Sequence, residues 1–223
     1  MKNLIYFGKI LSILIWGFTG LTSCKEKDPT PTDLNVTADD LVNYYLVAEG
    51  KTSSQLVVAY FIKDGDEITV DVHKNGQLRR PKMVLGNSTL TLDYESNGNE
   101  VYTFALEKDS EGNLKLKSYD LSYQNKPNQL SQAVLVKMSD AFPFVDRNFN
   151  TSIFDFKIEV DGTGEAIKWE NNPIKYPIYR LGNFGFKTLD GGTFGVAVPS
   201  WNVNGTNGPR VLIQIPQGFY YTD

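Results

Sequence analysis

From residue 55 onward the chain alternates between apolar and polar positions. "EITVDVHK" (67–74) sets Ile68, Val70 and Val72 on one side and Thr69, Asp71 and His73 on the other. "TLTLDYE" (89–95) sets Leu90, Leu92 and Tyr94 against Thr89, Thr91 and Asp93, and "EVYTFALEK" (100–108) puts Tyr102, Phe104 and Leu106 on one face. Successive side chains of an extended chain point to opposite faces, so this period of two predicts half-buried strands. "QLVVAYFIK" (55–63) is nearly continuous in apolar residues, as expected of a strand covered on both faces. "NLKLKSYDLSY" (113–123) begins with Leu114 and Leu116 inward, then changes parity to Tyr119, Leu121 and Tyr123, which predicts a bulge near Ser118. "QAVLVKM" (132–138) completes the set.

The linkers "KDGDE", "KNGQ", "SNGNE" and "DSEGN" are turn chemistry. Strands joined so briefly are antiparallel neighbours, so residues 55–138 read as an up-and-down meander. Open edges invite aggregation, so a long meander either closes into a barrel or packs against a second sheet as a sandwich. Thr37 is placed to cap one short helix in "ADDLVNYYLV", with Leu41, Tyr44 and Tyr45 on one side. "SDAFPFVDRNFNTS" (139–152) breaks the rhythm and reads as a crossover or a subdivision. Seven shorter strands follow, from "IFDFKIEV" (153–160) to "GFYY" (218–221), with more Gly and Pro between them. The fold class is all-β, with an antiparallel meander and one short helix near the N-terminus. Its organisation is residues 1–23, a leader; 24–36, a tether; and 37–223, the β domain.

The leader rests on a different pattern. Lys2 and Lys9 precede "ILSILIWGFTG" (10–20), an apolar run of signal-peptide length. It is too short for a bilayer, which takes ~20 apolar residues. "LTSC" follows, ending at Cys24, the single cysteine. This stretch resembles the lipobox of bacterial lipoproteins. The resemblance implies cleavage before Cys24, a diacylglyceryl group on its sulfur and an acyl chain such as palmitate on its new amino group. The membrane is then a partner through a lipid anchor, since more than one acyl chain makes anchoring stable. "KEKDPTPTDLN" (25–35) is charged and proline-dotted, as a tether should be. Lys25 stands where enteric lipoproteins retained in the inner membrane carry aspartate, so outer-membrane localisation is expected, on the periplasmic or the cell-surface face. The Lys-Glu-Lys-Asp patch also resembles the export signals of surface-displayed lipoproteins.

Charge and composition narrow the chemistry. The formal net charge is -4, and without Lys2 and Lys9 the 20 remaining basic and 26 acidic residues give about -6. A chain without a basic stripe lacks the electrostatic term that drives nucleic-acid binding, so no nucleic-acid partner is expected. One cysteine and one histidine leave no metal cluster or cofactor site to expect. His73 shares its face with Asp71, but no "GxSxG" element supplies a nucleophile, so it reads as a solvated strand histidine. The pairs Glu159 with Asp161 and Asp93 with Glu95 read as exposed strand carboxylates. "DSEGNLKLKSYD" lacks the glycine position and flanking helices of a calcium loop and reads as a hairpin. No catalytic residues are assigned.

Aromatic residues crowd the second half. Most fill β-cores. Trp169 and Trp201 end strands beside the polar turns "WENN" and "WNVNGTNG", and with Tyr176 and Tyr179 they are the candidate ligand contacts. The functional expectation is a noncatalytic protein that binds a small apolar molecule or glycan, or serves beside an outer-membrane protein partner. The alternatives are a small cell-surface carbohydrate-active enzyme and a structural or assembly lipoprotein.

Overall fold

A computed structural model describes residues 35–51, 55–145, 147–162 and 164–222, which belong to one compact unit. The leader, Cys24 and the tether through residue 34 lie outside the described residues.

The polypeptide opens with a one-turn helix, α1 (Ala38–Leu41). The Asp40 carboxylate accepts hydrogen bonds from the Thr37 N–H and hydroxyl, both at 2.7 Å. The helix stops well short of the expected length. Tyr44 and Tyr45 already belong to strand β1 (Tyr44–Gly50), where Tyr44 to Ala48 are all buried. An apolar run covered on both faces has no strand periodicity to display, and "YYLVA" mimics a helical stripe for that reason.

Strands β2 (Leu56–Asp64), β3 (Glu67–Lys74) and β4 (Gln77–Arg79) continue the meander, and β5 (Lys82–Gly86), β6 (Thr89–Asp93), β7 (Glu100–Lys108) and β8 (Leu114–Tyr123) form a second one. The break falls at Arg80 and Pro81, and proline cannot donate to a ladder. Strand β9 (Leu130–Lys137) returns to pair with β1, giving a five-stranded sheet in the order β4-β3-β2-β1-β9 over a four-stranded sheet β5-β6-β7-β8. The bulge expected near Ser118 is present: Ala105 pairs Ser118 and Leu106 pairs Leu116, which leaves Lys117 as the extra residue. Leu46, Val57, Ala59, Val70 and Val72 face Leu90, Leu92, Tyr102 and Phe104 in the sandwich core. A gap of about 10 Å³ among Leu46, Val57, Ala59, Val72, Leu92, Tyr102 and Phe104 is too small for a ligand.

The remaining strands form one eight-stranded antiparallel sheet in chain order: β10 (Asn148–Asn150), β11 (Asp155–Asp161), β12 (Gly164–Trp169), β13 (Lys175–Leu181), β14 (Gly185–Thr188), β15 (Phe194–Val203), β16 (Thr206–Ile215) and β17 (Gly218–Tyr221). Strands β15 and β16 run ten residues each, longer than expected, because the Asn204-Gly205 turn between them has φ of 51° and 86° and so closes a tight hairpin. The sheet curls into a half-barrel, and Thr151 after β10 bridges Thr222 after β17. Phe144, Phe156, Ile158, Ile167, Phe186 and Ile213 fill its concave side.

The convex side of the half-barrel covers the second face of the five-stranded sheet. Val47, Leu56, Val58 and Val136 pack there against Phe184, Phe194, Val196, Trp201 and Leu212. The central sheet is therefore buried between two others, which explains the continuous apolar run of β2. It also corrects the expectation for His73. The parity of β3 is as read, but the polar side of the strand faces the third layer, and His73 is 3% and Asp71 4% exposed.

Candidate functional site

A cavity of about 720 Å³ lies where β1 and β9 meet the half-barrel beneath the crossover segment 139–145. Three local features shape it. First, the crossover is pinned: Phe144 is fully buried, its ring 5.1 Å from Phe186, and Asn183 Nδ2 donates to the Asp140 carbonyl at 2.9 Å. Second, Tyr45 reaches from β1 to β15. Its ring stacks on Phe184 at 4.4 Å, and its hydroxyl donates to the Ala197 carbonyl at 2.6 Å. Burial pushes the Tyr45 hydroxyl pKa far upward, so it stays a neutral donor. Third, the β15–β16 ladder breaks. Val198 pairs Arg210 and Trp201 pairs Gly208, leaving Pro199 and Ser200 opposite Pro209. Two prolines at one break remove two donors, and a bulge is the place a ladder tolerates that. Pro199 and Pro209 are exposed members of the cavity wall, so the cavity communicates with solvent.

The rest of the wall combines apolar, cationic and neutral polar residues, the last including Ser139, Asn148, Asn150, Asn183 and Thr222. Val136, Phe149 and Val198 supply apolar surface, while Lys137, Arg147 and Arg210 supply charge. Its described residues include no aspartate or glutamate. Arg210 occupies the register position of a core residue, two before buried Leu212. Among the described residues its Nε is buried without a hydrogen-bond partner, and Nη1 reaches only the Pro209 carbonyl, at 3.4 Å.

The four aromatic candidates do not converge. Trp201 is 1% exposed in the core between the central sheet and the half-barrel, so it offers no ring face to a ligand. The polar turn beside it in sequence misled, because the β15–β16 hairpin carries that turn beyond the core. Trp169 is half-buried, with its ring 5.0 Å from Phe154 and 5.7 Å from Phe156. Tyr176 is half-buried and accepts from Asn172 Nδ2 at 3.3 Å; Tyr179 is 62% exposed. None of the four lines the cavity. The residues that do were hidden in Tyr45, read as helical, and in Arg210, a lone charge entering an apolar strand.

A second, polar cleft of about 400 Å³ opens where the two meanders meet, with Tyr94, Tyr123, Lys74 and Glu100 among its walls. Lys74 Nζ binds both Glu100 oxygens at 2.6 and 2.7 Å and lies 5.3 Å from the Tyr94 ring centre, and the Tyr102 hydroxyl donates to the same carboxylate. Several acidic residues elsewhere serve structure. Asp93 accepts from the Gly98 N–H at 2.9 Å, Glu159 pairs with Lys175 at 3.0 Å, and Asp109 Oδ1 accepts from the Asn113 N–H at 2.9 Å to close its hairpin. Among the described residues no three His, Cys, Asp or Glu gather as a metal site.

No family model matches the chain, and no curated protein or solved structure shows significant similarity to it.

Proposed function

We propose that this chain is a lipid-anchored protein of the outer membrane, on its periplasmic or cell-surface face, that holds a small apolar molecule beneath the crossover without transforming it. The observation that carries the reading is the cavity of about 720 Å³ walled by Tyr45, Val136, Phe149, Phe184 and Val198. Ligand sites typically have about 300–1,000 Å³ and mostly apolar walls with a few placed polar groups. The described walls hold no carboxylate or imidazole to serve as a general base, which favours binding over catalysis. The lipobox resemblance at "LTSC" supports the anchor, and an anchored binder sits beside apolar cargo and beside any outer-membrane partner that receives it. Mass spectrometry of the protein extracted from its native membrane tests the reading. A stoichiometric apolar small molecule bound besides the covalent anchor is expected; a protein that carries nothing and takes up nothing from a total lipid extract contradicts it.

A glycan-binding role has one specific observation in its favour. Tyr94 and Tyr123 flank Lys74 in the polar cleft, and tyrosine faces beside charged groups suit sugar rings. Loss of glycan-array binding in Tyr123→Ala, with the fold intact, would support that role, and an unreactive array would remove it.

A further inference from the structure

We propose that the molecule held beneath the crossover is an apolar carboxylate, with its acid group met by Arg210. This rests on the reading of the cavity as a ligand site and adds the charge of the ligand. In a chain with 26 acidic and 22 basic residues, the described wall of this cavity carries Lys137, Arg147 and Arg210 and no acid. Lys137 Nζ is engaged by Asn113 Oδ1 at 3.1 Å, and Arg147 is exposed. Arg210 differs from both: among the described residues its Nε is buried and unpartnered, and its Nη1 makes only a 3.4 Å contact with the adjacent Pro209 carbonyl. A buried donor left unmade is costly, and more so on a charged group. The fork of a guanidinium matches the two oxygens of a carboxylate, and such charge-assisted pairs are stronger than neutral ones. The apolar wall takes the rest of the molecule: Tyr45 and Phe184 form one stacked surface, with Val136 and Val198 also in the wall. The ladder break at Pro199 and Pro209 adjoins Arg210, so the acid group belongs at the solvent-communicating side and the apolar part inside.

The test is calorimetric titration of residues 25–223, which contain the whole described compact unit, with dodecanoate, dodecanol and dodecylammonium below their micelle concentrations. Dodecanoate is expected to bind at least about ten-fold more tightly than dodecanol, the scale of one charge-assisted pair, with dodecylammonium weakest. Arg210→Gln is expected to bring the dodecanoate-to-dodecanol ratio close to one while dodecanol binds as before. Equal binding of acid and alcohol to the natural chain, or a preference that survives Arg210→Gln, overturns the inference and leaves the apolar cavity standing. Failure of all three probes to bind removes the cavity reading itself. The comparison of probes on the natural chain holds even where the variant does not fold.

Discussion

Acidification should loosen the contact between the central sheet and the half-barrel through one residue, His73. Its ring lies between Tyr60 and Phe194, with centroids 5.8 and 5.0 Å away and planes within 20° of parallel. Nε2 is 3.4 Å from the Tyr60 hydroxyl, and Nδ1 is buried without a partner. Burial is the main reason its pKa falls from 6.5 to about 4; Lys187 pushes the same way, and Asp71 opposes both. Arg80 Nε, at 2.8 Å from Asp71 Oδ1, holds that carboxylate, and Tyr60 is pushed up to about 12, so its hydroxyl remains a donor. Above pH 6.5 His73 is neutral in both the folded and unfolded chain. Between 6.5 and about 4 the unfolded chain takes a proton that the folded chain refuses, so stability falls as pH falls and levels off below about 4. A shift of that size is worth about 3 kcal/mol at 1.36 kcal/mol per unit. Urea unfolding of the natural chain and of His73→Phe, which keeps a ring against Phe194, isolates this contribution. The stability difference between the two should change by about 3 kcal/mol from pH 7.5 to 4, with the natural chain losing more. His73 is the only histidine in the sequence, so its ring protons in an untagged sample report the midpoint directly. A midpoint near the free value of about 6.5, or a stability difference independent of pH, would refute the reasoning.

Three other perturbations have expected outcomes. Lys74→Met strands the Glu100 carboxylate, 2% exposed, and should cost about 3–5 kcal/mol in urea unfolding, with Lys74→Met/Glu100→Gln recovering most of it. Gly195→Ala would set a Cβ 2.3 Å from the Phe186 ring, which is fully buried and cannot yield; a loss of about 1–3 kcal/mol is expected, against no more than about 0.5 for Gly86→Ala, where nothing lies near. Cys24→Ala should abolish incorporation of labelled lipid in cells, and continued labelling would exclude the anchor.

Much of the fold is legible in the chain because most strands of the two meanders carry their own alternation. The parity switch in "KLKSYDL" marks the bulge at Lys117, and the two-sided apolar run of β2 marks a strand with neighbours above and below. What is not legible is which layer covers which face. The polar side of β3 looks solvated because Asp71 and His73 are polar, yet Tyr60 and Arg80 from the flanking segments bind Asp71, and Phe194, remote in sequence, covers His73. The pairing of β9 with β1 is equally non-local. The cavity belongs to the same class: the β15–β16 hairpin sets Arg210 beside the Pro199–Pro209 break locally, but Tyr45 reaches them only after the half-barrel packs on the central sheet.

The cavity beneath the crossover is tested most directly by filling it. Ala197 lines the wall, and its carbonyl accepts the Tyr45 hydroxyl, a bond that a side-chain change at 197 leaves in place. An uncharged, environment-sensitive apolar dye is titrated into residues 25–223 and into Ala197→Trp, with far-ultraviolet dichroism and thermal unfolding as checks on the fold. Saturable binding at one site per chain is expected for the natural sequence, weakened at least about ten-fold in the folded Ala197→Trp variant. Undiminished binding by the variant, or no saturable binding by the natural chain, would contradict a ligand site at this place.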